Sequence, residues 1–244
     1  TTVTVTCTST SGSVSKSGTL SVKAYPKYEV GNVVLSDKTV VKAADYTAID
    51  ASNPPVGVIC GNLYGAPRMI ALGISEKELP WAKYGTTGYT TKLTGIICIP
   101  NGKTSSEATF TGDTDGSDNW AYIKQQDTAG AADAETNYPA FHWVNTYNTT
   151  YADKLGTAKP VWYMPSLAEL CEVYKNRTAI NASLAKISSL NSSYADASLG
   201  TSWYWVSSQD SYFNYHAWLV NFSDGYVGIN PKYIRYRVCC LAGF

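Results

Sequence analysis

The chain has few side chains able to do acid–base or nucleophilic chemistry. His142 and His216 are its only histidines. A Ser/His or Cys/His nucleophile needs a base within hydrogen-bond reach, and no Gly-x-Ser-x-Gly signature surrounds any serine. The six cysteines, Cys7, Cys60, Cys98, Cys171, Cys239 and Cys240, form no Cys-x-x-Cys pair, so zinc-site spacing is missing. Cys60 and Cys98 lie in apolar strand-like runs and Cys171 in a helical pattern, where a free thiol behaves as a small hydrophobe. A disulfide in a secreted setting stays open. Asp113-Thr-Asp115-Gly116-Ser-Asp118 opens like a calcium loop, but an EF-hand carries a bidentate Glu at its twelfth position and a helix before it. Position 124 is Lys, and Thr/Gly-rich sequence precedes the run. It reads as a turn and helix N-cap, with a loop-bound cation as the lesser alternative. The expectation is a protein that is not an enzyme, with no catalytic residue, no metal and no cofactor.

What the chain has in abundance is tyrosine: 19 of its 244 residues, with aromatics at 13%. A tyrosine offers a rigid apolar ring with a polar tip at low entropic cost, which suits a binding surface. It is also a good strand former, so a Tyr-rich sheet is the plainer reading. The 44% hydrophobic and 16% charged content fits a folded chain. Nineteen basic and nineteen acidic residues cancel, which argues against a nucleic-acid partner, since such proteins carry a basic excess. No apolar run approaches the roughly 18–20 residues of a membrane helix, so membrane insertion is not expected.

The elements that would position these side chains are mostly short strands. Thr1–Lys23 alternates with period two and reads as two strands, Thr2–Thr6 and Thr19–Lys23, around a Ser/Gly turn. Residues 1–25 are expected to be a β segment, either packed on the main domain or the tail of an upstream Ig-like domain. Residues 26–244 form the main domain. Val30–Leu35 with Val40–Val41 reads as one hairpin, and Val56–Cys60 with Met69–Leu72 around Gly61–Gly65 as a second. Helical signals begin near Asp118. A helix over Tyr138–Asn148 has Phe141, Val144 and Tyr147 on one stripe. Ser166-Leu-Ala-Glu169 is a capping box, followed by Leu167, Leu170, Val173 and Tyr174 at helical spacing. Thr178 would cap a second helix through Ile180, Leu184 and Ile187. After Trp203 the pattern returns to β, with Trp203, Trp205, Trp218, Val220, Phe222 and Val227 as the inward face, a turn at Ser223-Asp-Gly225, and Cys239-Cys240 in a strand with one of the pair facing the core.

Taken in order, Asp-x-Asp-Gly-x-x-Asn at Asp113, Trp162-Tyr-Met-Pro-Ser-x-x-Glu-Leu170, Ile180-Asn-x-x-Leu184, Tyr204-Trp-Val-Ser-Ser208 and Ala217-Trp-x-Val-x-Phe222-x-x-Gly225 form a pattern. It resembles bacterial C-type-lectin-like domains of the formylglycine-generating-enzyme subtype. Within these it is most similar to the variable proteins of diversity-generating retroelements. The likeness spans about 130 residues from Asp113 and extends more loosely over 27–110. The family commonly has Trp-Ser-Ser-Ser where this chain has Trp205-Val-Ser-Ser. The Glu-Pro-Asn and Trp-Asn-Asp calcium–sugar signature is absent, as is the cysteine pair of the oxidising enzymes. The resemblance implies an α+β, C-type lectin-like fold with mixed antiparallel sheets, a few short helices and long loops.

It also implies a variable region, here about 203–238. Such retroelements randomise adenines in codons that are commonly AAC or AAT, which never yields Trp, Gln, Glu, Lys or Met. Trp203, Trp205, Gln209, Trp218 and Lys232 are therefore fixed, and Asn214 and Asn230 could be unmutated template positions. The candidate ligand-binding positions are Tyr204, Val206, Asp210, Tyr212, Phe213, Tyr215, His216, Leu219, Tyr226, Gly228, Ile229, Pro231, Tyr233, Ile234 and Tyr236. Strand phase sends Leu219, Tyr226 and Gly228 outward if Trp218 and Val227 face in. The implied function is hypervariable recognition of a macromolecule, protein or glycan, on another cell. The expected location is extracellular or at the cell surface, with lipoprotein anchoring through a removed N-terminus as one form of it. A fixed-site lectin-like adhesin is the alternative, and an enzyme of the formylglycine-generating lineage a more distant one.

Overall fold

The structure is a computed structural model that describes residues 3–7, 16–20, 28–63, 65–73 and 78–243. At the N-terminus β1 (Val3–Cys7) and β2 (Lys16–Leu20) pair antiparallel, Val3 opposite Leu20. The second strand starts earlier than the expected Thr19, and the expected boundary at residue 25 lies outside the described residues.

The main body begins with β3 (Val33–Leu35), β4 (Val40–Val41), β5 (Pro55–Leu63), β6 (Ala66–Ala71) and β7 (Glu78–Pro80). A four-residue helix α1 (Thr87–Thr90), β8 (Cys98–Asn101) and β9 (Thr109–Gly112) follow. Then come α2 (Asn119–Gln126), α3 (Thr128–Ala132), α4 (Ala134–Asn137), α5 (Pro139–Thr150), α6 (Leu167–Lys175) and α7 (Arg177–Leu190). The chain ends with β10 (Trp203–Gln209), β11 (His216–Asn221), β12 (Val227–Pro231), β13 (Arg235–Arg237) and β14 (Leu241–Gly243). The class is α+β. The strands form two five-stranded sheets, ordered β12-β11-β10-β13-β7 and β14-β6-β5-β3-β4, with β8-β9 as a separate hairpin. Pairing is antiparallel except between β10 and β13.

Both hairpins read from the sequence form: Val33 pairs with Val41, and Val58 with Ile70. The capping box closes, the Ser166 hydroxyl accepting from Glu169 N–H and the Glu169 carboxylate from Ser166 N–H. The Asp113–Asp118 run is a turn: Asp115 accepts from Ser117 N–H ahead of α2. Gly116 is required there, because a Cβ would lie 2.5 Å from Ser166 N. Two helix starts differ from expectation. α5 begins at Pro139, whose missing N–H costs nothing in a first turn. α7 begins at Arg177 with Asn176 at its N-cap, because the chain leaves α6 by a single residue and Thr178 is already inside the new helix. Cys239 and Cys240 lie between strands, and both are buried, in different cores.

The decisive feature is that both sheets are covered on both faces. One core holds Trp205, Ala217 and Leu219 with Phe141, Trp143 and Val144 of α5. The other holds Tyr204, Val206, Val220 and Phe222 with Leu170 and Val173 of α6 and Leu184 of α7. The second sheet alternates likewise, Ile59 and Met69 facing the first core, Val58 and Ile70 the second. Trp205, Phe222 and Trp162 are buried as expected, while Trp203 and Trp218 are only half-buried.

Candidate ligand-binding surface

Strand directions bring three distant loops to one end of the first sheet. β10 stops at Gln209 and β11 starts at His216, leaving residues 210–215 as their connection. His216 pairs with Pro231, which puts the end of β12 and the following 232–234 loop alongside. Arg235 pairs with Pro80, which brings the end of β7 and the 81–93 segment to the same place. Backbone bonds knit the loops: Lys232 N–H donates to Tyr215 O at 2.9 Å, and Ala82 N–H to Lys232 O at 3.1 Å.

On these loops stands a continuous run of aromatic rings. Phe213 and Tyr215 lie 5.1 and 4.7 Å from His216, and Phe213 lies 5.6 Å from Tyr215. Tyr215 contacts Tyr89 at 6.1 Å, Tyr89 contacts Tyr233 at 5.9 Å, and Tyr84 closes on Tyr89 at 5.2 Å and Tyr233 at 5.6 Å. Tyr84 is 69% exposed, and Phe213, Tyr215 and Tyr233 are exposed too; Tyr212 stands free at the loop tip, 86% exposed. Tyr89 is half-buried among them, and burial beside three other rings raises its phenol above the usual value. Burial holds the His216 imidazole below its ordinary value, with Asp210 opposing, and His216 Nδ1 is buried without a partner. The pairs are tilted or edge-to-face, an arrangement in which rings pack favourably against one another.

The fifteen sequence candidates divide by this geometry. Tyr212, Phe213, Tyr215, His216 and Tyr233 share the aromatic end. Tyr226 is exposed but lies at the far end of β11, with Trp203 at 6.1 Å. Gly228 is half-buried beside the same indole. Tyr236 is half-buried on Trp205 and Trp203, its hydroxyl accepting from Asn230 Nδ2 at 2.8 Å. Ile229, Pro231 and Ile234 are half-buried.

Four candidates are corrected, because they are buried. Tyr204 packs on Phe222 at 4.7 Å and its hydroxyl donates to Leu199 O. Val206 lies in the same core, and its carbonyl accepts from Trp81 Nε1 at 2.9 Å. Leu219 joins Trp205 in the opposite core. The Asp210 carboxylate accepts from Phe213 N–H at 2.8 Å and fastens the loop from below. The cause is common to the three on strands: alternation separates two faces but cannot make one of them face solvent when helices cover both.

Sequence reasoning missed Tyr84 and Tyr89, which complete the run from outside residues 203–238. The signal was present in Tyr84-Gly85, an aromatic at a turn, with Gly85 at φ 79°. Their segment is seated by Gly88, where a Cβ would meet the Tyr138 ring and Asn137 O at 2.8 Å.

No protein-family model matches the chain, and no curated protein does. Among solved structures it is similar to a fimbrial protein from Bacteroides ovatus, with a TM-score of 0.57 and 16% sequence identity. The match covers 89% of this chain and 49% of the other, so this chain spans about half the length of the protein it resembles. The likeness is one of fold. No described helix is long and apolar enough to cross a membrane.

Proposed function

We propose that this is a surface-exposed recognition protein in which a C-type-lectin-like α+β scaffold presents diversified aromatic side chains to a macromolecule on another cell. One observation carries the reading: three loops deliver Tyr84, Tyr89, Phe213, Tyr215 and Tyr233, with His216 at the start of β11, into one continuous run in which four of the six rings are exposed. A folded protein rarely exposes so many contiguous rings unless something binds them. The action is non-covalent. Rigid tyrosines bury area at low entropic cost and act as anchors, each accounting for about 2 kcal/mol or more when removed. Phe213, Tyr212, Tyr215 and Tyr233 are all reachable by adenine randomisation, whereas Tyr84 and Tyr89 lie outside the variable window and would be a constant part of the contact.

The similarity to a fimbrial protein favours a second reading, an adhesin with a fixed site at the same rings. The flanking DNA separates the two. A reverse transcriptase gene beside a near-copy of the 3′ end, with adenines at the codons for residues 212, 213, 215 and 233, supports diversification. Its absence leaves the fixed adhesin. Binding is tested with fluorescently labelled protein on a panel of bacterial cells. Parent staining that is lost with Tyr212, Phe213, Tyr215 and Tyr233 changed to Ser is the expected result. Equal staining by both proteins overturns the role of the rings.

A further inference from the structure

Beneath the aromatic run lies a lysine with no solvent exposure at all. Lys232 points inward from the loop that carries Tyr233, and its ammonium faces three oxygens: Gly88 O at 3.2 Å, Gln209 Oε1 at 3.3 Å and Thr91 O at 3.5 Å. It also sits 4.4 Å over the Trp81 ring, within the range of a cation–π contact. Among the described residues no carboxylate forms an ion pair with it. The charged group acting on it from α3's N-cap is Asp127, which accepts from the Tyr138 hydroxyl at 2.8 Å and Gly130 N–H at 3.0 Å. The neighbouring titratable groups are thus Asp127 and Tyr138 within the fold, with Tyr89 on the clamped turn.

An ammonium has three N–H donors, and three carbonyl-type oxygens surround it. Two of them, Gly88 O and Thr91 O, belong to α1 and its C-cap, where helix carbonyls lack partners and a cation is favoured. Asn214 Nδ2 takes the carbonyl of Thr90 between them. The third oxygen is on Gln209 at the end of β10, which also accepts from Leu93 N–H at 3.1 Å. One side chain therefore ties together the turn carrying Tyr89, the strand leading to Phe213 and Tyr215, and the loop carrying Tyr233. We propose that Lys232 is a positioning residue for the aromatic surface: its amine locks the three loops in register, and loss of its proton changes how the Tyr89 turn is held. A neutral amine keeps two donors for three acceptors and gives up the attraction to the Trp81 ring. The longest contact, to Thr91 O, is the first to lapse. Burial with no ion-paired carboxylate brings the amine down to about 7, so the change falls near neutral pH. The inference rests on the reading of these rings as the binding surface, but its test needs no ligand.

The test is nuclear magnetic resonance on protein labelled with 13C at lysine and tyrosine, titrated from about pH 6 to about pH 9. The expected result is one lysine ε-methylene signal titrating near neutrality, with Tyr89 and Tyr233 ring signals moving at the same midpoint. In Lys232→Met those ring movements disappear. His216 touches Tyr215 and titrates in the acid range, so the titration is repeated in His216→Gln, where the ring movements should persist. Ring signals that stay fixed while Lys232 titrates overturn the proposal. So do movements that survive in Lys232→Met, or a Lys232 signal that titrates with the surface lysines. If Lys232→Met does not fold, the wild-type midpoints alone decide.

Discussion

A buried amine makes global stability depend on pH in a definite direction. The folded-state value of Lys232 lies below its unfolded one, so between about 7 and the ordinary 10.5 the unfolded chain holds a proton that the native chain lacks. Stability should therefore rise through that window, and the full cost of the buried charge is felt below it. Thermal unfolding of Lys232→Met beside the parent across this range should show a flatter slope in the variant; parallel slopes would remove Lys232 as the cause. The tryptophans give a second contrast. Trp205 is fully buried with its Nε1 donating to Leu79 O, so Trp205→Ala should cost about 3–5 kcal/mol in denaturant unfolding. The half-buried Trp218, whose Nε1 has no partner, should cost clearly less. At this scale the sequence marked Trp205 and Phe222 as core from size and spacing alone. It misplaced Leu219, because a leucine facing solvent and one facing a second core look identical in an alternating strand.

Elements whose signals are local were legible, and those defined by distant partners were not. The hairpins at Val33–Val41 and Pro55–Ala71 and the Ser166 cap depend on residues a few positions apart. Ser166→Ala should cost about 1 kcal/mol by removing the cap, with more if Thr114 O, which also accepts from that hydroxyl, goes unpaired. By contrast, the covering of β10 and β11 by α5 on one side and α6 on the other joins segments that no local pattern connects. The consequence for loops is testable. Changing Tyr212, Phe213, Tyr215 and Tyr233 together to Ser should leave the melting temperature near the parent's, since exposed positions usually matter by under about 0.5 kcal/mol each. Leu219→Ser should by comparison cost several kcal/mol. Equal losses in both proteins would mean that the rings hold the fold together.

For the molecule as a whole, the sequence indicated the α+β class, but not which distant segment joins the C-terminal aromatic cluster in space. Tyr84 and Tyr89 are brought to it by the pairing of β7 with β13, a contact spanning most of the chain. Among the described residues no cluster of three metal-ligating side chains occurs. Because the proposed contact is made by aromatic rings rather than carboxylates, cell binding should persist in chelator, and complete loss on chelation would place a cation in the contact. The last strand has a different consequence. β14 is only three residues long, yet it closes one side of β6, pairing Leu241 with Ile70 and Ala242 with Met69, and it bridges to Tyr163. Without Leu241–Gly243, β6 would carry an open row of amides and carbonyls beside apolar side chains, a template for strand addition from another molecule. A chain shortened by those residues should self-associate, visible as a concentration-dependent shift in light scattering, while its aromatic end, in the other sheet, stays intact.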